Sequence, residues 1–174
     1  YERITEILDL SHQKGIYGDM EAGLISEDVF RAEVLKDSRP GCVPGDVDRA
    51  MACLLTGMDP AKVPLLEHLA AKYPIYALSN NNEISTARMH EIYEENGLDW
   101  RRVFRKEFLS CRMKLMKPGR EIFDAVAAEI GFPPAEILFV DDSQKNVDGA
   151  RAAGWQAALY VQGTDLGACI ANYL

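Results

Sequence analysis

An α/β fold with a doubly wound parallel sheet is the architecture this sequence predicts, with a helical module in front of it. Three observations carry that expectation. Apolar runs such as Ile75-Tyr76-Ala77-Leu78 and Ile137-Leu138-Phe139-Val140 have the length and character of buried strands. They alternate with segments of helical spacing, which implies right-handed crossovers and parallel pairing. Polar clusters stand where the strands end, the edge at which open α/β sheets bind ligands. The α/β region is expected over residues 58–174 and the helical module over residues 1–57.

Composition narrows the classes. A chain of 174 residues, 48% hydrophobic and 26% charged, holds one globular core of ordinary size and contains no apolar run long enough to cross a membrane. The net charge of −8 gives no electrostatic footprint for nucleic acid or for an anionic lipid surface. A phosphorylated ligand would therefore need a local cluster of donors. Cys42, Cys53, Cys111 and Cys169 show neither Cys-x-x-Cys spacing nor a partnering His, so no zinc site or disulfide framework is expected, and their apolar context suits a reducing cytoplasm. His12, His68 and His90 lie scattered among charged helical residues and are expected to be solvated. The first residue is Tyr within a helical pattern, so the sequence reads as though something precedes it.

In order, residues 1–17 place Ile4, Ile7, Leu8 and Ser11 on one helical face, and residues 18–25 read as a connector broken by Gly18 and Gly23. Ser26 caps a helix carrying Val29, Phe30, Val34 and Leu35, with Glu27 and Asp28 in its first turn. After the Pro- and Gly-rich residues 37–45, Val47, Met51, Leu54 and Leu55 define another helix. Residues 60–72 form a helix facing inward through Leu65, Leu66 and Leu69. A strand ends at Ser79, and a helix over residues 83–96 stops at Gly97. A short strand spans residues 103–109. Ile122, Phe123, Val126 and Ile130 mark a helix closed by Gly131. The strand ending in Asp141-Asp142 comes next, then a helix through Val147, Ala150 and Ala153, a strand over residues 157–161 and a short terminal helix.

Three clusters could carry chemistry. Ser79-Asn80 offers a hydroxyl and backbone N–H groups ahead of a helix, a cradle for an anion or simply a cap. Lys117 precedes Pro118 at a helix entrance, where the helix dipole disfavours a cation; it serves a bound anion there or is a flexible surface lysine. Asp141 and Asp142 repel one another unless a divalent cation lies between them, or else one caps the following helix while the other is solvated.

Leu78-Ser79-Asn80, Lys117-Pro118 and Phe139-Val140-Asp141-Asp142-Ser143-x-x-Asn146-Val147 together resemble the second, third and fourth motifs of haloacid-dehalogenase-like (HAD) hydrolases, in order across residues 58–165. Glu21-Ala22-Gly23-Leu24-Ile25-Ser26 resembles the small helical cap of the subfamily that contains glucose-1-phosphate phosphatase. The resemblance implies a Mg²⁺-dependent phosphatase of a small phosphorylated metabolite, a sugar phosphate, working through an aspartyl-phosphate intermediate. It assigns Ser79 and the Asn80 N–H to phosphoryl oxygens, and Lys117 to charge on the transferred group and the nucleophile. It gives Asp142 to Mg²⁺ directly, Asp141 to the metal directly or through water, and Asn146 to orientation.

The family's first motif, a strand ending in Asp-x-Asp, has no counterpart. Asp46-Val47-Asp48 follows Val43-Pro44-Gly45 and reads as a helix start. The nucleophile is therefore expected upstream of residue 1, on a strand lying between the Ser79 and Asp142 strands, which would stand about two strand spacings, about 9.6 Å, apart. Without it the 174 residues should not fold to a stable monomer. The competing readings are a haloacid dehalogenase, against which the Asp141-Asp142 pair argues, and a binding or regulatory module without a nucleophile. A receiver-type signalling domain would not need the helical module.

Overall fold

The structure, a computed structural model, describes residues 15–174. The helix expected over residues 1–17, and His12 with it, falls almost wholly outside them. The chain divides into two compact units between Lys114 and Leu115, each with one two-stranded parallel sheet.

The first unit runs through α1 (Gly15–Glu21), α2 (Glu27–Lys36), α3 (Pro44–Ala52), α4 (Lys62–Ala70), β1 (Ile75–Ser79), α5 (Glu83–Glu95), α6 (Trp100–Val103), β2 (Phe104–Leu109) and α7 (Ser110–Met113). The expected connector at residues 18–25 is helical as far as Glu21. Tyr17 and Met20 bury themselves with Phe30, Val47, Met51 and Ile84, and that burial outweighs the cost of about 1 kcal/mol for Gly18 inside a helix. The chain turns at Gly23 instead, where φ is +66° and a Cβ would lie 2.1 Å from the Cys111 carbonyl oxygen. The Ser26 hydroxyl caps α2 by accepting the Val29 N–H at 3.3 Å. Phe30 is the fully buried residue of the expected face, while Val29 is 48% exposed. In α3, Asp46 accepts the Val43 N–H at 2.7 Å, so Asp46-Val47-Asp48 does begin a helix. That helix stops at Ala52, leaving Leu54 beyond it and exposed.

Ile84, at the start of α5, joins the core of the helical segment. A second cluster joins Val63, Leu98 and Val103, with Leu66 and Trp100 against it. Val63 is the buried residue of α4, while Leu65 and Leu69 are half-buried. Strands β1 and β2 pair in parallel up to a last rung of Ser79 with Leu109. β1 is half-buried along its length rather than fully buried as expected, since β2 covers one edge and no other strand of the described residues covers the second. Nor is His90 solvated: its Nε2 lies 2.8 Å from a Glu107 carboxylate oxygen and its ring stacks on Trp100 at 3.7 Å, because this face of α5 packs toward β2 and α6.

The second unit contains α8 (Arg120–Ile130), β3 (Leu138–Asp141), α9 (Gln144–Ala152), β4 (Gln156–Leu159) and α10 (Leu166–Ile170). Ile122, Phe123 and Val126 are buried, and Gly131 closes α8 in the left-handed region at φ +75°. Phe123, Phe139 and Trp155 meet edge to face at centroid distances of 5.4–6.2 Å, giving this small unit an aromatic core. β3 pairs in parallel with β4, Asp141 opposite Leu159. Of β3 only Phe139 is fully buried, since β4 is its single strand partner among the described residues. All four cysteines are free, and Cys42 and Cys53 are exposed, contrary to the apolar context expected of them. Among the described residues no helix is long and apolar enough to cross a membrane.

Candidate functional site

The second unit gathers Lys117, Asp141 and Asn146. Asp141 is the last residue of β3, and its side chain is only 8% exposed. Its Oδ2 accepts the Lys117 Nζ at 2.6 Å, and its Oδ1 accepts the Ser143 N–H at 2.8 Å and the Asn146 amide at 3.0 Å. A buried carboxylate is stable only when paired and hydrogen-bonded, and three donors meet that need here. Lys117, itself 7% exposed, also stands 5.3 Å above the Phe139 ring. A surface role for Lys117 is thus ruled out.

The local sequence explains the geometry. Ser143 holds the position before α9, but its hydroxyl makes no capping bond; the Asp141 carboxylate takes up the Ser143 N–H from two residues back. Asn146 in the first turn of α9 then faces the same oxygen. Gly149 lets α9 approach the Lys117-Pro118 turn, since a Cβ there would lie 2.5 Å from the Pro118 carbonyl oxygen. Lys117 is not at a strand end, as its cluster was expected to be. α7 and Lys114, the latter in the left-handed region at φ 55°, intervene after β2.

Asp142, the first residue past β3, is exposed. Its Oδ2 accepts one bond, from the Gln162 amide at 2.8 Å. The two neighbouring carboxylates therefore differ: Asp141 is enclosed by donors, while Asp142 keeps oxygen free for a hydrated cation. Among the described residues no group of three or more His, Cys, Asp or Glu converges as a closed metal cage. Two adjacent carboxylates are an oxygen donor set that fits Mg²⁺, which binds through one or two carboxylates and retains waters.

Ser79 and Asn80 belong to the first unit. Ser79 closes β1 and does not cap α5: Asn82 does, its Oδ1 accepting the Ser85 N–H at 3.0 Å. The Ser79 hydroxyl lies 3.4 Å from the Asn80 carbonyl oxygen. Asn81, 7% exposed, accepts the Asn82 N–H through its side chain and donates its own N–H to the Ser110 hydroxyl at 2.9 Å. Glu83, in the first turn of α5, is gripped by Arg112 at 2.6 and 2.7 Å, which holds its carboxyl below the ordinary value against the opposing effect of burial. Sequence reasoning overlooked two residues here. Ser110 carries a signal, a Ser directly after the buried Phe108-Leu109 run, one residue past the rung that pairs Leu109 with Ser79. Gln162 carries none, because it meets Asp142 only through the fold.

A model of the haloacid dehalogenase-like hydrolase family matches residues 17–154. The D-ribitol-5-phosphate phosphatase of Bacteroides thetaiotaomicron is 29% identical over 160 residues, covering 91% of this chain and 77% of that protein. A HAD family enzyme of the same organism superposes with a TM-score of 0.84 at 29% identity, over 96% of this chain and 85% of its own. An aspartate-to-alanine variant of that enzyme, in complex with magnesium and inorganic phosphate, superposes with a TM-score of 0.80 at 29% identity, over 95% of this chain and 86% of its own.

Proposed function

This chain belongs to the haloacid dehalogenase-like hydrolases, and from that premise we propose that it is a Mg²⁺-dependent phosphatase of a small phosphorylated metabolite, a sugar or sugar-alcohol phosphate. The observation that carries the reading is the buried Lys117–Asp141 pair beside the exposed Asp142. A lysine enclosed this way holds positive charge at a fixed point, which suits an anion that gains charge as it reacts. The likeness to a sugar-alcohol phosphate phosphatase, and to a structure holding magnesium and phosphate, supports the same reading.

In this proposal Ser79 and the Asn80 N–H donate to phosphoryl oxygens, and Lys117 neutralises charge on the transferred group. Asp142 and Asp141 hold Mg²⁺, with Asn146 fixing the Asp141 carboxylate. Bound there, Mg²⁺ supplies charge neutralisation and orients the phosphate. The nucleophile is a carboxylate on a strand that this sequence does not contain. It attacks phosphorus, the alcohol departs with a proton from a general acid, and water hydrolyses the acyl phosphate. Residues 1–57 are proposed to act as a substrate-selecting cap.

The test, on the protein with its upstream residues, is phosphate release from p-nitrophenyl phosphate and a panel of sugar and sugar-alcohol phosphates, with and without EDTA. Release that EDTA abolishes and added MgCl₂ restores is the expected outcome. Release untouched by chelation overturns the metal assignment, and no release from any substrate overturns the phosphatase.

A further inference from the structure

Ser110 is fully buried at the junction of β2 and α7. Ser79 and Leu109 form the last rung of the ladder, so Ser110 is the first residue past the sheet, alongside the Asn80-Asn81-Asn82 loop. A serine hydroxyl has one proton to give and two lone pairs. Here the proton goes to the Glu21 carbonyl oxygen at 2.5 Å, and a lone pair takes the Asn81 N–H at 2.9 Å. The Asn81 carbonyl oxygen in turn accepts the Cys111 N–H at 3.4 Å. Two residues after Glu21, Gly23 runs so close to α7 that a Cβ there would lie 2.1 Å from the Cys111 carbonyl oxygen. One hydroxyl therefore ties together the end of α1, the start of α7 and the loop that follows Ser79.

We infer that Ser110 is a positioning residue that fixes the Asn81 backbone, and through it the adjoining Asn80 N–H proposed to contact phosphate, and locks the turn after α1, in the helical segment, onto that loop. In its functional part this rests on the phosphatase reading. The bonds need no ligand. They hold the loop in one conformation, so the backbone is oriented before phosphate arrives, and a change in the α1–α2 turn would be felt at the loop through the Glu21 carbonyl.

The experiment compares Ser110→Ala, Ser110→Cys and Val63→Ala in the full chain. Val63 is a buried residue of the separate Val63–Leu98–Val103 cluster and controls for lost stability. Inorganic phosphate binding is measured by calorimetry, and the Asn81 amide by hydrogen exchange. Ser110→Ala should weaken phosphate binding roughly ten- to a hundredfold, the scale set by small misplacements of binding groups, and speed Asn81 exchange. Ser110→Cys, which keeps the size and a weak acceptor, should fall between it and wild type. Val63→Ala should lower Tm and leave both readouts in place. Ser110 variants that keep wild-type affinity and exchange, or a control that shifts them equally, overturn the inference. A wild-type protein that binds no phosphate removes the phosphatase reading, while Asn81 exchange still decides whether Ser110 holds the loop.

Discussion

The segments after β1 and after β3 begin alike, each leaving the carboxyl end of a parallel strand and entering a helix within four residues. They use their polar groups in opposite ways. After β1 the side chains attend to backbone: Asn82 caps α5, Asn81 accepts the Asn82 N–H, and Ser110 receives the Asn81 N–H. After β3 the side chains attend to one another: Lys117 and Asn146 converge on Asp141, and the Ser143 hydroxyl gives no cap. The first segment is a neutral scaffold with a hydroxyl at its mouth; the second is a buried charge pair with a carboxylate exposed beside it. Stability and chemistry should therefore separate cleanly at the first and be entangled at the second.

The entanglement predicts the largest effect. Lys117→Ala leaves Asp141 buried beside two neutral donors, which should destabilise the protein by about 3–5 kcal/mol. Activity should fall about 10²–10³-fold, the loss seen when a charge-stabilising donor is removed from a closed site. Replacing both partners, Lys117→Met with Asp141→Leu, should restore much of the stability and none of the activity. Lys114→Ala, on an exposed side chain, should stay within about 0.5 kcal/mol of wild type. Denaturant midpoints and phosphate release measure the two halves. Equal losses at Lys114 and Lys117 would show that the motif has been placed on the wrong lysine.

At the neutral scaffold the two properties should come apart. Asn82→Ala removes the cap of α5 and should cost about 1 kcal/mol of stability. Ser79→Ala should be within about 0.5 kcal/mol of wild type yet reduce activity at least tenfold if the hydroxyl donates to phosphate. The reverse pattern, a costly Ser79→Ala with full activity, would make Ser79 structural.

This contrast also marks what was legible in the sequence. Strand ends and helix stops were, because Gly97 and Gly131 take the left-handed conformation beside apolar runs that leave few alternatives. Ser79, Lys117 and Asp141 could be singled out as chemistry-bearing because each stands near a strand end or a helix entrance. Which of the two aspartates Lys117 would grip could not, since adjacent acids look alike until the fold buries one. The environment of His90 was hidden because its partners come from other elements. Its partner Glu107 lies 17 residues on, in β2. Gly18 misled because a breaker in sequence is tolerated once Tyr17 and Met20 have a core to enter.

The smallest effect compares an exposed pair with the buried one. Glu83 and Arg112 link the start of α5 to α7, with side chains 46% and 52% exposed. Arg112 lowers the Glu83 carboxyl below its ordinary value of 4.5. A depressed carboxylate contributes stability that is present above the unfolded-state value and is lost as pH falls through the folded one. The stability difference between wild type and Arg112→Gln should therefore be constant from pH 7 to about pH 5 and shrink below about pH 4.5 as Glu83 is protonated. Its size should be about 0.2–1 kcal/mol, because solvent screens both groups, and added salt should reduce it further. Denaturant titrations at a series of pH values read it directly. A difference that persists unchanged at pH 3 would mean that Arg112 acts through packing, and that the junction of α5 and α7 does not depend on the ion pair.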